Sequence, residues 1–260
     1  MWDPNRLFKK FEPESVNARS WIGIAIALIA LWISLVDSNK IPPSTPQEQS
    51  FFAAPNNLEE LIATTKQSLV TVLCGDNLGS GWVFDVDTSS ITKPEEKKIV
   101  DEFQSWVVTN HHVVEECIDD DALPLSAVLG ANGLERESRL WNWDEENDLA
   151  FLLVKAKLKP LATATETPKG GWWTMAIGSP WEFNSSVSIG NLISANNSAS
   201  AVTKFDLITS SLLNPGNSGG PLVNSRGEVI GTNTWRVVDE DQGLYNIATS
   251  VDAICALVFC

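Results

Sequence analysis

The chain holds only two histidines, and they are neighbours, His111 and His112. Its four cysteines, Cys74, Cys117, Cys255 and Cys260, form no CxxC pair and no cysteine–histidine spacing of a zinc ligand set. No metal site is therefore expected. Positive charge is also scarce: 18 Lys and Arg stand against 33 Asp and Glu, a formal net charge of −15. That balance argues against nucleic acid as a partner, because phosphates favour a basic face. Solubility is enough to explain the acid excess. Internal repeats with a period of 20–50 residues are missing, so nothing points to a solenoid or propeller. What is present is ample apolar material, 43% of 260 residues, enough for one large domain or two small ones.

One apolar run stands apart, "WIGIAIALIALWISLV" over 21–36. As a helix it would cover roughly 24 Å, slightly short of a bilayer core of about 30 Å. Flanking tryptophans and local thinning make up the difference. Lys9, Lys10 and Arg19 precede the run and Asp37 follows it. This bias puts the N-terminus inside and the remainder outside. The first reading is a single-pass anchor. A cleaved signal peptide is the second, although the leading segment is long and no A-x-A site follows. A core helix fits least, because the run has no polar face. The expected organisation is a cytoplasmic segment at 1–20, a transmembrane helix at 21–36, a Pro/Ser/Thr-rich linker at 37–56 and one folded domain at 57–260. Both leading readings place that domain outside the cytoplasm, where disulfides persist.

A helix is expected to begin at Asn57, with Asn57 as its N-cap, acidic residues in the first turn and apolar spacing at Leu58, Leu61 and Ile62. Beyond it the pattern is β. Short runs such as "LVTVLC", "GSGWVFDV", "DLAFLLV" and "EVIGTNTW" are rich in branched and aromatic residues and separated by turn signals. Many short strands without long helices between them predict an antiparallel sandwich or barrel. The charged stretch 87–104 reads as a solvated, partly helical insertion, and the end "SVDAICALVFC" as a short terminal helix.

Three places carry chemistry only when taken together. Each has an ordinary explanation alone. A histidine after a strand is usually a satisfied core or loop residue. Asp148 starts an apolar strand, so its carboxylate needs partners if buried. The loop "LLNPGNSGGPLVN" at 212–224 has the composition of a turn. Acyl transfer, however, needs a hydroxyl nucleophile, an imidazole to take its proton and a carboxylate to orient that imidazole. The chain presents them in the order His, Asp, Ser. Subtilisin-like enzymes and α/β-hydrolases use other orders and alternate strands with helices. A lipase or esterase is disfavoured further, since Gly216–Gly220 lacks the strand-to-helix setting of a G-x-S-x-G elbow.

The strings "TNHHV", "NDLAFLLV" and "NPGNSGGPLVN" followed by "GEVIGTNTW" resemble the histidine, aspartate and serine motifs of HtrA/Deg-like enzymes, a branch of the trypsin-like serine proteases. "AIGSPWEFNSSVSIGNLISA" resembles the segment before the serine, and the similarity spans about 58–252. The resemblance implies an all-β fold of two six-stranded antiparallel β-barrels, chymotrypsin-like, and a serine endopeptidase without cofactor. It makes His112 the base, since Val113 follows it, Asp148 the orienting carboxylate and Ser218 the nucleophile. The backbone N–H groups of Gly216 and Ser218 would form the oxyanion hole.

The resemblance also implies a primary pocket with Leu212 at its base and Gly231 and Thr232 along it. With no acid from Leu207 to Asn217, small or medium aliphatic side chains are expected there. Asn217 stands where digestive zymogens carry an aspartate that pairs with a freed N-terminus, so that activation route is not expected. The regions of Cys74 and Cys117 adjoin in such folds, so the resemblance implies a Cys74–Cys117 disulfide; Cys255–Cys260 is the second candidate pair. The substrates would be unfolded or exposed protein segments, and relatives imply a homotrimer. The sequence stops soon after its last β motif, so no PDZ module is expected. The rival reading is a binding or scaffold protein on a protease fold, with little turnover.

Overall fold

The computed structural model describes residues 50–257 except 121–122, 130–131, 180–184, 196–205 and 240–242. The apolar run at 21–36 and most of the expected linker lie outside the described residues. Among the described residues, no helix is long and apolar enough to cross a membrane.

Twelve strands close into two barrels. The first contains β1 (Leu69–Cys74), β2 (Asn77–Phe84), β3 (Gln104–Thr109), β4 (Leu125–Leu129), β5 (Glu135–Asp144) and β6 (Leu149–Lys155), in the spatial order β1-β2-β3-β6-β5-β4. The second contains β7 (Trp173–Gly178), β8 (Ser186–Ala195), β9 (Asp206–Thr209), β10 (Pro221–Asn224), β11 (Val229–Asp239) and β12 (Gly243–Ser250), in the order β10-β11-β12-β9-β8-β7. All twelve ladders are antiparallel. Closure leaves no strand edge unpaired.

Three apolar clusters hold this arrangement. Val70, Val72, Val107, Leu152 and Val154 fill the first barrel. Ala176, Leu192, Leu222 and Ile230 fill the second. Between them runs a seam: Trp82, Val108, Leu149 and Phe151 of the first barrel meet Trp173, Met175 and Val223 of the second. Trp82 is fully buried and its indole N–H donates to Thr232 Oγ1 at 3.1 Å, so the largest seam side chain is also satisfied. The terminal helix α4 (Val251–Leu257) closes the seam through Val251, Ala253 and Ile254.

The helix α1 (Leu58–Gln67) starts after Asn57 as the sequence predicts, but Asn57 caps no backbone N–H; its Nδ2 donates to Glu60 Oε2 instead. The charged insertion forms α2 (Pro94–Phe103), with proline in its first turn and Phe103 as its buried anchor. The folded unit also begins earlier than 57. Phe51 is buried and stacks on Trp172 at 3.9 Å, and the Arg226 guanidinium lies over its ring at 3.9 Å from the ring centre. Its carbonyl accepts from Trp173 N–H at 2.7 Å. Residues 50–56 therefore pack on the barrels through Phe51, while Phe52 is exposed.

The short helix α3 (His111–Asp119) packs Val113, Val114 and Cys117 into the first barrel. Its far end is tied to the end of β1 by the Cys74–Cys117 disulfide. Cys255 on α4 is also disulfide-bonded, whereas Cys260 lies outside the described residues. The Cys74–Cys117 bridge closes a separation of 43 residues, for which the loop-entropy estimate is about 4 kcal/mol. Cys74→Ala/Cys117→Ala is expected to lower the urea midpoint accordingly; an unchanged midpoint would show that the unfolded chain gains nothing from the cross-link.

Candidate active site

Asp148 ends the tight turn that enters β6. Its N–H donates to Glu145 O at 3.2 Å and its φ of 50° is left-handed, a conformation that aspartate tolerates better than most residues. That turn buries the carboxylate to 5% exposure and aims it at the start of α3. Oδ1 accepts from the His112 backbone N–H at 2.9 Å, and Oδ2 lies 2.7 Å from His112 Nδ1. A carboxylate only accepts, so Nδ1 is the protonated nitrogen and Nε2 is left with its lone pair. His111, by contrast, is buried and makes no hydrogen bond to Asp148 among the described residues.

Ser218 comes from the second barrel, in the loop before β10. It lines the same cavity as His112, a cleft of about 380 Å³ with Leu213, Pro215, Thr234 and Trp235 around them. Its hydroxyl donates to Thr234 O at 2.9 Å. Asn110 joins the two halves: its amide N–H₂ donates to Asp148 O at 2.8 Å and to Thr234 Oγ1 at 3.3 Å. The strand end carrying the histidine is thus registered against the strand that receives the serine hydroxyl.

The loop around Ser218 is pinned at nearly every peptide. Asn217 N–H donates to Asn214 O, Gly219 N–H to Asn233 O and Gly220 N–H to Asn217 O. The N–H groups of Gly216 and Ser218 make no hydrogen bond among the described residues. Gly216 has φ 91°, a left-handed conformation that a side chain would strain. Two free donors flanking a hydroxyl are the arrangement that binds a developing oxyanion.

The three expected pocket residues lie away from the lining of this cleft. Leu212 is 52% exposed and outside the cleft lining; its N–H donates to Ser188 Oγ. The next residue, Leu213, is 4% exposed, lines the cleft and is held by Asn246 Oδ1 at 3.0 Å. Gly231 and Thr232 also lie outside the lining. Gly231 backs onto Thr249 O across the β11–β12 ladder, and Thr232 faces Trp82. Successive residues of an extended segment face opposite ways, so of the two neighbouring leucines one walls the cleft and the other is exposed. The sequence reading also passed over Asn110, Thr234, Leu213 and Trp235. Their only signal was membership of "TNHHV" and "TNTW" or, for Leu213, adjacency to "NPGNSGGPLVN".

The profile of the trypsin-like peptidase domain matches residues 79–231, more than half of the chain. The chain belongs to that family. Its peptidase domain is 33% identical over 155 residues to a probable periplasmic serine endoprotease, DegP-like, of Chlamydia muridarum, covering 58% of this chain and 30% of the relative. A protein of the same description from Pseudomonas putida strain GB-1 is 34% identical over 161 residues, with coverage of 61% and 29%. The putative serine protease HhoB of Synechocystis is 35% identical over 135 residues, with coverage of 49% and 31%. The chain thus matches less than a third of the length of these relatives. Among solved structures, the crystal structure of Deg5 superposes with a TM-score of 0.61 at 25% identity, covering 76% of this chain and 90% of that one. The double-barrel fold of the peptidase domain is shared with that structure.

Proposed function

We propose that the chain is a serine endopeptidase in which His112, Asp148 and Ser218 act together. The observation that carries this reading is the cleft itself: Ser218 and an imidazole oriented through Nδ1 line it together, and two free N–H donors flank the serine. In the reaction, Ser218 Oγ attacks the scissile carbonyl carbon and its proton passes to His112 Nε2. The N–H groups of Gly216 and Ser218 hold the oxyanion. As the C–N bond breaks, His112 returns the proton to the leaving amine. Water then attacks the acyl ester, with His112 again taking the proton, and frees Ser218 and a carboxylic acid. Among the described residues no Asp, Glu, Lys or Arg lines the cleft, and Leu213 supplies an apolar wall. Aliphatic side chains at the cleavage position suit it.

The domain acts outside the cytoplasm on unfolded or exposed protein segments, tethered by residues 21–36. The periplasmic naming of the relatives supports the compartment. A disulfide behind the histidine helix supports it too, since such bonds persist in oxidising surroundings. A scaffold role draws on one observation, that the Ser218 hydroxyl is bonded to Thr234 O and not to the imidazole. A fluorophosphonate probe separates the two. Covalent labelling of Ser218 that His112→Ala removes supports the peptidase; no labelling and no casein cleavage favours the scaffold.

Specificity gives a second check. Leu213→Ala should shift the kcat/KM ratio of Leu over Ala at the cleavage position by about tenfold or more, while Leu212→Ala should leave it unchanged. Faster cleavage after Lys or Arg than after Val or Ala would overturn the apolar pocket.

A further inference from the structure

Trypsin-like sites need the loop around the nucleophile held with its two donors facing the cleft, and Asn217 offers no charge to pair with a freed N-terminus. The side chains that hold it are hydroxyls, one from each barrel. Asn217 is 1% exposed, and its Oδ1 accepts from Ser186 Oγ at 2.6 Å. Ser186 is the first residue of β8 and sits in the second barrel. Burying an amide without a partner is costly, so this bond decides whether Asn217 stays inside. Gly178 at the end of β7 leaves room for it. A Cβ there would stand 2.6 Å from both Asn217 Cα and Oδ1.

From the first barrel, Ser80 grips the same loop twice. Its Oγ donates to Gly216 O at 2.5 Å, and its backbone N–H donates to Ser218 O at 2.7 Å. The hydroxyl is itself fixed by accepting from Ser179 N–H at 2.7 Å, and the Ser80 carbonyl accepts from Thr109 Oγ1 at 2.6 Å. Ser80 therefore holds the carbonyls of the two residues whose N–H groups remain free. Holding Gly216 O on one side and the Asn217 side chain on the other fixes the peptide between them.

We propose that Ser80 and Ser186 form a neutral two-hydroxyl clamp that keeps the Gly216–Ser218 loop in its donor-outward state, in place of a charged N-terminus. They are positioning residues, since neither lines the substrate cleft. The proposal rests on the peptidase reading above. It concerns how the oxyanion donors are kept in place, a misplacement that costs about 10–100-fold in rate when it reaches an ångström.

The experiment compares the full chain with Ser186→Ala, Ser186→Thr and Ser80→Ala. It measures kcat and KM on an aliphatic peptide amide, affinity for a peptide boronic acid and the thermal midpoint. Boronate binding to Ser218 forms a tetrahedral adduct that needs the two donors, whereas KM reflects mainly the ground state. Ser186→Ala should lower kcat by about 10–100-fold, weaken the boronate in proportion and leave KM close to wild type. Ser186→Thr keeps the hydroxyl and should restore kcat. Ser80→Ala should behave like Ser186→Ala. If Ser80→Ala fails to fold, the Ala and Thr variants at Ser186 still decide. Wild-type kcat in Ser186→Ala, or equal losses in the Ala and Thr variants, would overturn the clamp. Failure of the wild-type chain to label with a fluorophosphonate overturns the peptidase reading first, and the clamp with it.

Discussion

Ser218→Ala is expected to abolish fluorophosphonate labelling and to lower kcat by about a million-fold, leaving only the residual catalysis of the oxyanion donors and substrate binding. The reason lies in how the groups depend on one another. Without Oγ there is no acyl intermediate, and the proton that His112 is oriented to accept does not exist. The fold should tolerate the change. The hydroxyl makes a single hydrogen bond, to Thr234 O, and the loop is pinned through its backbone. The check is a matched pair of measurements: turnover of a peptide amide and the thermal midpoint. Loss of turnover with an unchanged midpoint supports the nucleophile; retained turnover removes Ser218 from that role.

Asp148→Asn is the second large effect, about 10⁴-fold in kcat. Two carboxylate oxygens do different work here. Oδ1 accepts the His112 backbone N–H and Oδ2 faces His112 Nδ1. In the variant, the amide oxygen keeps the first bond only if the amide nitrogen takes the Oδ2 position. That nitrogen donates, so Nδ1 must accept and the ring proton moves to Nε2. An imidazole protonated at Nε2 cannot take the Ser218 proton. The opposite amide orientation keeps the tautomer but sets two N–H donors against each other at the His112 backbone. KM should change little, because Asp148 does not line the cleft. A kcat near wild type would show that His112 is oriented by something other than Asp148.

Much of the fold was legible because β structure is written locally. "LVTVLC" and "DLAFLLV" became β1 and β6, each buried along nearly its whole length, as barrel strands packed on both sides must be. The start of α1 after Asn57 followed from acidic and apolar spacing, although its cap did not form. The histidine segment shows the limit. It reads as a strand end followed by polar residues, yet His111 opens a helix whose Val113, Val114 and Cys117 face the first barrel. Nine residues carry too little periodicity to announce such a helix. The packing of Phe51 was not legible for a related reason: nothing local says that it finds Trp172.

The order and identity of the three reactive groups, the β character of the chain and the absence of an acid from the pocket loop are properties of the linear sequence. Residue type and short-range spacing are sufficient to state them. Which leucine walls the cleft, which nitrogen of His112 stays free and what holds the Ser218 loop are not. Those depend on side-chain direction, and direction is set by partners far away along the chain. Ser80 and Gly216 are 136 residues apart, and Asn110 and Thr234 are 124 apart. Only the closure of two barrels onto one seam brings them within hydrogen-bond reach.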